Sequence, residues 1–311
     1  MIPAANDPLR GIAYKLFSVL CFTLMAICVK LAAARIPTGE TVFFRSFCAF
    51  PVILTWLAWR GRLRFALRTS RPLDHFWRGI IGTSAMALNF TALGLLPLPE
   101  VTTLFYTAPL FMVVFAVFLL GERVRLIRIT ALAIGLTGTI IVLYPRLSVF
   151  DLEGAGFWAA IGAAAALLGA ILAALAQVFI RYLTATEDTG TIVLYFTVTS
   201  TLLSLLTLPF GWIFPTGFEA VCLVGAGLFG GLGQITLTEA YRNAALAVVA
   251  PFEYLSIVLS IAAGMLLFGE WPTAPMLAGA ALITASGLAI IWRERQIQEQ
   301  RKLQGSKAPI P

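Results

Sequence analysis

The sequence predicts an all-α membrane protein: ten transmembrane helices built as two inverted five-helix repeats. Three observations predict it. Hydrophobic residues make up 59% of the chain and charged residues 12%, against a charged share of about 25% in soluble domains. Polar surface is therefore too scarce to cover a globule in water. The apolar residues gather in runs of about 20, the length that crosses a bilayer as a helix. Finally, the stretch Tyr106 to Glu122 (YTAPLFMVVFAVFLLGE) returns about 148 residues later, from Tyr254 to Glu270 (YLSIVLSIAAGMLLFGE). The same offset sets Gly82 on Gly230, Ala92 on Ala240, Leu98 on Leu246 and Val101 on Val249. A half-chain period of this kind argues for duplication.

Taken in order, the first repeat (residues 11–146) holds apolar runs at Gly11–Ala34, Thr41–Trp59, Phe76–Leu96, Val101–Leu120 and Ile127–Tyr144. The second (residues 154–292) holds Gly156–Arg181, Thr191–Trp212, Phe218–Ala240, Ala247–Phe268 and Ala274–Trp292. Backbone groups in lipid must be satisfied within the segment, and these runs are too long and too weakly alternating for barrel strands. Pro97 and Pro99 close the third run, Pro145 the fifth, and Pro209 and Pro215 flank the end of the seventh. Residues 1–10 are expected as a short cytoplasmic N-terminus, and 293–311 as a fraying helix end and a disordered cytoplasmic tail. The first run resembles a signal h-region, but its length, Lys30 and the spans that follow favour a retained helix.

Orientation follows from the basic residues. With the N-terminus inside, all of the 22 Lys and Arg residues except Lys30, Arg35, Arg45 and Arg146 fall on the cytoplasmic side. Lys15, Arg78 and the arginine-rich connection Arg60–His75 belong to that cytoplasmic set, and both termini are expected there. Five spans is an odd number, so the second repeat must sit upside down relative to the first. Inverted repeats are a recurring plan for alternating access, because two halves can exchange conformations.

The net charge of +7 sits in short inter-span segments, which fits an anionic membrane leaflet rather than nucleic acid. Cys21, Cys28, Cys48 and Cys222 form no CxxC pair and lie within apolar runs, as small core filler. Walker A, HExxH and GxSxG sequences are absent, which argues against an ATP-driven pump, a metalloenzyme or a serine hydrolase. No metal and no cofactor are expected. Gly225 to Gly230 spells GxGxxG, but inside an apolar run it reads as close helix packing, with Gly227 and Gly231 forming GxxxG.

Polar residues inside spans are costly, and so mark candidate sites. Glu253 reads as a contact for a substrate ammonium or as a protonation site, with an interfacial pair to Arg242 as its structural alternative. Tyr106 and Tyr254 suit a cavity wall or plain packing. Asn89 and Gln234 read as substrate contacts or interhelical hydrogen bonds. Lys30 and Arg45 read as an ion pair with Glu40 or Glu100, or as an outer gate. Glu239 reads as a partner for Arg242 or Arg181. Glu122 and Glu270, at span C-termini, need a cation or a loop N–H. His75 is placed in a cytoplasmic loop.

Lys30, Glu40, Phe43-Phe44-Arg45, Val101-Thr102-Thr103, Ala108-Pro109, Gly121-Glu122, Ala250-Pro251-Phe252-Glu253-Tyr254 and Phe268-Gly269-Glu270 together resemble the drug/metabolite transporter superfamily, in its EamA-type ten-helix form. The resemblance covers about residues 10–292. It implies a secondary transporter of the bacterial inner membrane, alternating access around a central cavity, and a small-molecule substrate, with protons as a candidate coupling ion. Relatives export amino acids or take up metabolites such as S-adenosylmethionine or vitamins. Thr69-Ser70-Arg71-Pro72, with His75 and Arg78-Gly79 behind it, also resembles the branch that includes S-adenosylmethionine uptake proteins. Apolar walls with few charges suggest neutral or zwitterionic cargo. A membrane-embedded enzyme or scaffold is the reading of another class.

Overall fold

The structure, a computed structural model, describes residues 7–108, 110, 111, 115, 126–147, 155–184, 186–244 and 249–305. Gly121, Glu122 and much of the later part of the fourth apolar run lie outside the described residues, so the first copy of the recurring mark is seen mainly at its start. Among the described residues every regular element is helical. The α-helices are α1 (Pro8–Ala32), α2 (Thr38–Phe47), α3 (Phe50–Trp59), α4 (Pro72–Leu95), α5 (Leu98–Phe105), α6 (Leu126–Leu147), α7 (Ala155–Thr184), α8 (Thr189–Leu205), α9 (Gly217–Asn243), α10 (Leu255–Phe268) and α11 (Ala274–Gly305).

Among the described residues, four helical stretches are long and apolar enough to cross a membrane: Leu9–Ala32, Thr38–Trp59, Gly156–Thr184 and Gly217–Asn243. Shorter apolar helices include Thr189–Leu205, Phe252–Phe268 and Ala274–Ala289. Large apolar side chains stand on the outer surface, among them Phe210, Phe214, Leu266 and the indoles of Trp59, Trp158 and Trp271. Water would oppose such a surface; a bilayer, with Trp at its interfaces, accommodates it.

Local chemistry explains the helix ends. Asp7 caps α1 by accepting from Arg10 N at 3.1 Å, with Pro8 in the first turn. Thr216 and Glu219 form a capping box at α9: Glu219 Oε2 accepts from Thr216 N at 2.7 Å. Gly269 ends α10 with φ of 64°, a conformation that glycine adopts without strain.

Three differences from the sequence reading have physical causes. The second span is broken at Cys48-Ala49 into α2 and α3, because Pro51 lacks the N–H that an unbroken helix would use. The last helix, whose apolar run ends at residue 292, continues to Gly305, further than the fraying helix end expected at the start of 293–311; Arg293 Nη1 donates to Gln296 Oε1 at 2.6 Å, and strong helix formers follow. His75 lies in the first turn of α4, not in a loop, buried and stacked on Tyr195 with ring centroids 4.6 Å apart.

The packing pairs are α1 on α9, α4 on α7, α6 on α11, α2 on α8, and α5 on α10; α4 also meets α8, and α2 meets α9. Small residues set the closest approaches. A Cβ on Gly227 would stand 2.9 Å from the Cys48 carbonyl carbon, and one on Gly231 3.2 Å from Ala49 Cβ. The GxxxG face of α9 is thus seated on the break between α2 and α3, as close packing requires.

Candidate functional site

A cavity of about 280 Å³ lies at the centre, walled by α1, α2, α4, α5, α7, α8, α9 and the start of the Ala250–Phe268 stretch. Its walls are mostly apolar and aromatic: Phe22, Met86, Phe90, Phe105 and Phe196 contribute. Its polar lining includes four charged side chains, Lys15, Arg45, Arg78 and Glu253, and the amides Asn89, Gln177 and Gln234, with hydroxyl groups between them.

One end of this cavity is organised by an ion pair between Lys15 and Glu253. Lys15 is 2% exposed. Glu253 also accepts from the Tyr241 hydroxyl at 3.1 Å, and Lys15 Nζ lies 5.1 Å from the centre of the Tyr241 ring. The Tyr241 hydroxyl stands 3.5 Å from Gln177 Oε1. Burying each ion costs several kcal/mol even after relaxation. The pair survives because the carboxylate has two donors and the ammonium has a carboxylate and an aromatic face. Arg242, the expected partner of Glu253, is elsewhere: it donates to Glu187 O at 2.7 Å and pairs with Asp188 at 3.5 Å.

Arg45 and Arg78 are both almost fully buried and share one ring. The Arg78 Cζ lies 3.7 Å, and the Arg45 Cζ 5.6 Å, from the Phe196 centroid. Arg45 Nη2 donates to Gly230 O at 3.3 Å. Arg45 Nε and Arg78 Nε and Nη1 have no hydrogen-bond partner, and no carboxylate pairs with either guanidinium among the described residues. A desolvated cation–π contact returns about 2 kcal/mol, less than the several kcal/mol that burying the charge costs. Arg45 therefore departs from the expected pairing with Glu40, whose Oε2 instead accepts from Ile213 N at 3.0 Å.

Lys30 is drawn to the ends of helices. It pairs with Glu270 at 2.8 Å, and donates to the Leu96 carbonyl at 2.7 Å. Glu270 in turn accepts from Leu98 N at 2.8 Å. One ion pair thus caps the end of α4 with a cation and the start of α5 with an anion, each the sign the helix dipole favours. The expected partners Glu40 and Glu100 do not appear in this pair. Glu239 is paired with Arg60 at 3.2 Å, while Arg242, one of its two expected partners, is held by Glu187 and Asp188; the side chain of Arg181, the other, lies outside the described residues. It lines a shallower apolar groove with Tyr14, Trp56 and Trp59, away from the central cavity.

Of the residues singled out from sequence, Asn89, Tyr106, Gln234, Glu253 and Arg45 line the cavity. Tyr254 does not. It packs behind Tyr106 at 5.4 Å between centroids, and its hydroxyl has no partner. The Tyr106 hydroxyl accepts from Ser256 Oγ at 2.5 Å. The sequence reading missed Lys15, Arg78, Gln177 and Tyr241. Lys15 and Arg78 fell inside the drawn spans, the same signal that flagged Lys30, but were counted as cytoplasmic anchors. Gln177 is a lone amide in an Ala-rich run, a signal that was there to be used.

Comparison with known proteins supplies a frame for this geometry. A family model described as EamA-like transporter family matches twice, over residues 9–144 and 160–292. An S-adenosylmethionine uptake transporter of Rickettsia felis is 27% identical, over 97% of this chain and 99% of that protein. A pseudopaline exporter of Pseudomonas aeruginosa is 30% identical, over 90% and 95%. A riboflavin transporter of Rhizobium johnstonii is 32% identical, over 96% of each. A solved crystal structure shares the fold with a TM-score of 0.67 at 21% identity, covering 92% of this chain and 98% of that one.

Proposed function

The chain belongs to the EamA-like transporter family, and from that membership we propose a secondary transporter working by alternating access. It is a multi-pass membrane protein and a small-molecule transporter rather than an enzyme. The proposed cargo is a small polar organic metabolite, an amino acid or amino-acid derivative. The observation that carries this reading is the central cavity, walled by helices of both halves and holding charged groups in an otherwise apolar wall. Its volume, near the lower bound of about 300 Å³ for ligand pockets, suits a metabolite of modest size.

Two features support the inverted ten-helix plan. The family model matches each half separately. The packing pairs also exchange under a swap of halves: α1 on α9 corresponds to α7 on α4, while α2 with α8, α5 with α10, and α6 with α11 map onto themselves. On this plan the repeats span residues 11–146 and 154–292, and both termini are cytoplasmic. Lys15–Glu253 then lies toward the inside and Lys30–Glu270 toward the outside. Each joins the first half to the second, so each is suited to act as a gate.

S-adenosylmethionine is the specific candidate within the class, because it is itself an amino-acid derivative and relatives named for its uptake align over nearly the whole chain. A vitamin is the second, from the relatives named riboflavin transporter. Purified protein in liposomes, offered labelled amino acids, S-adenosylmethionine and riboflavin with and without a pH gradient, tests the reading. Saturable movement of an amino-acid-type compound is expected. Movement of none of them would remove the proposal, and riboflavin alone would redirect it.

A further inference from the structure

We propose that Arg45 and Arg78, flanking the Phe196 ring, form a carboxylate-binding subsite in the central cavity, so that the cargo enters with an oxyanion facing them. The assignment of that anion to cargo rests on the transporter reading. The subsite itself stands on geometry.

Both guanidiniums are nearly fully buried and both line the cavity. They come from different helices, α2 and α4, yet converge on one aromatic ring. Three of their N–H-bearing nitrogens, Arg45 Nε and Arg78 Nε and Nη1, have no partner. A buried arginine kept for structure is held by a carboxylate or by several carbonyls; Arg45 has one carbonyl, from Gly230. Like charges brought together without an anion repel, and an anion between them removes that repulsion. The planar fork of donors matches a carboxylate, and lysine would not reproduce it.

The space for these side chains is built in. A Cβ on Gly82 would stand 2.7 Å from Arg78 Nη1, and one on Gly230 2.7 Å from Arg45 Nε. These are the two glycines that the half-chain offset equates. Each half therefore leaves a gap against one guanidinium. Across the cavity the other ionic groups are Lys15 and Glu253, already paired. The lining thus holds Lys15, Arg45 and Arg78 against one carboxylate, an imbalance that an anionic group on the cargo corrects. The lining carries more charges than the few expected from sequence, and of the two kinds of cargo expected there, neutral or zwitterionic, a zwitterion supplies the anionic group.

The test uses the full chain purified in detergent, at fixed ionic strength. Thermal melting is followed with each of the twenty L-amino acids, with S-adenosylmethionine, with the carboxamide of every compound that stabilises, and with sodium chloride alone. A carboxylate compound is expected to raise the melting temperature while its carboxamide does not. Arg78→Met and Arg45→Met are expected to melt unliganded at or above the parent, since each removes an uncompensated buried charge, and to lose the ligand shift. Arg78→Lys should retain part of it, with affinity at least tenfold weaker. The proposal is overturned if carboxamides stabilise equally, if no carboxylate stabilises, or if chloride alone gives the whole shift. It is also overturned if Arg78→Met melts well below the parent while keeping the ligand shift, as a structural arginine would. Transport of riboflavin without any carboxylate response removes the subsite but leaves the transporter. Carboxylate-dependent stabilisation with no transport in liposomes keeps the subsite and removes the transporter reading.

Discussion

At the scale of single residues, Lys15 and Glu253 decide what their end of the cavity can do. Breaking a buried pair by removing one partner costs about 3–5 kcal/mol, whereas replacing both with apolar groups is close to neutral. Lys15→Met and Glu253→Gln are each expected to lower thermal stability by about that amount, and Lys15→Met with Glu253→Leu to recover most of it. Melting of the purified variants checks this; a loss in the double equal to the sum of the two single losses would mean the two groups act independently. Transport separates stability from mechanism. If Glu253 carries the coupling proton, the recovered double variant and Glu253→Gln lose the response to a pH gradient, and unchanged transport with unchanged pH dependence removes that role. The pair also marks how far sequence reasoning reaches. The hydropathy pattern placed Glu253 at a costly depth, but its partner is distant in sequence, and a contact of that range leaves no local trace.

At the scale of elements, composition made the helices legible, and tertiary contacts determined their breaks. Apolar runs of about 20 residues have few folding alternatives in lipid, so the described helices lie close to the spans drawn from sequence. Pro51 was a visible signal for the break at Cys48-Ala49, read past because the surrounding run stayed apolar. The GxxxG face of α9 turned on the opposite logic: its glycines gave the packing reading before any partner was known. The Cys48 and Ala49 backbone is that partner. Gly227→Leu is therefore expected to cost about 1–3 kcal/mol or more by overpacking a backbone contact. Gly217→Ala, where a Cβ meets nothing within 4 Å, should stay within about 0.5 kcal/mol of the parent. Melting temperatures and membrane yield of the two variants provide the comparison, and similar losses in both would contradict the packing account.

At the scale of the whole molecule, the charged links between halves divide into two groups. Lys30–Glu270 and Arg35–Glu219 lie at one end; Arg60–Glu239, Arg62–Asp188 and Lys15–Glu253 lie at the other. In the proposed cycle, opening one side breaks its own group and spares the other. Glu270→Gln keeps an acceptor for Leu98 N but removes the charge pair with Lys30. A bias of about 1–3 kcal/mol, or 5–150-fold in population, is the expected scale. In a chain with its four native cysteines replaced and Asn89→Cys as a cavity probe, Glu270→Gln should speed labelling by an impermeant maleimide added outside. Asp188→Asn should speed labelling from the cytoplasmic face. Faster labelling from the wrong side in either case would reverse the assigned orientation.

The meeting of Tyr106 and Tyr254 has a consequence for ancestry. A residue touches its own counterpart in a repeat only when both stand beside the axis relating the halves. In an ancestor made of two identical half-length chains inserted in opposite directions, this would have been one tyrosine meeting itself. Any substitution there would have struck both sides of the contact at once. Fusion into a single chain would lift that constraint and let the two positions differ. Tyr106 faces the cavity and accepts from Ser256, while Tyr254 is turned into the packing with its hydroxyl unpartnered. On the inverted-repeat plan, gene fusion would do more than join two copies: it would let a self-contact become a division of labour.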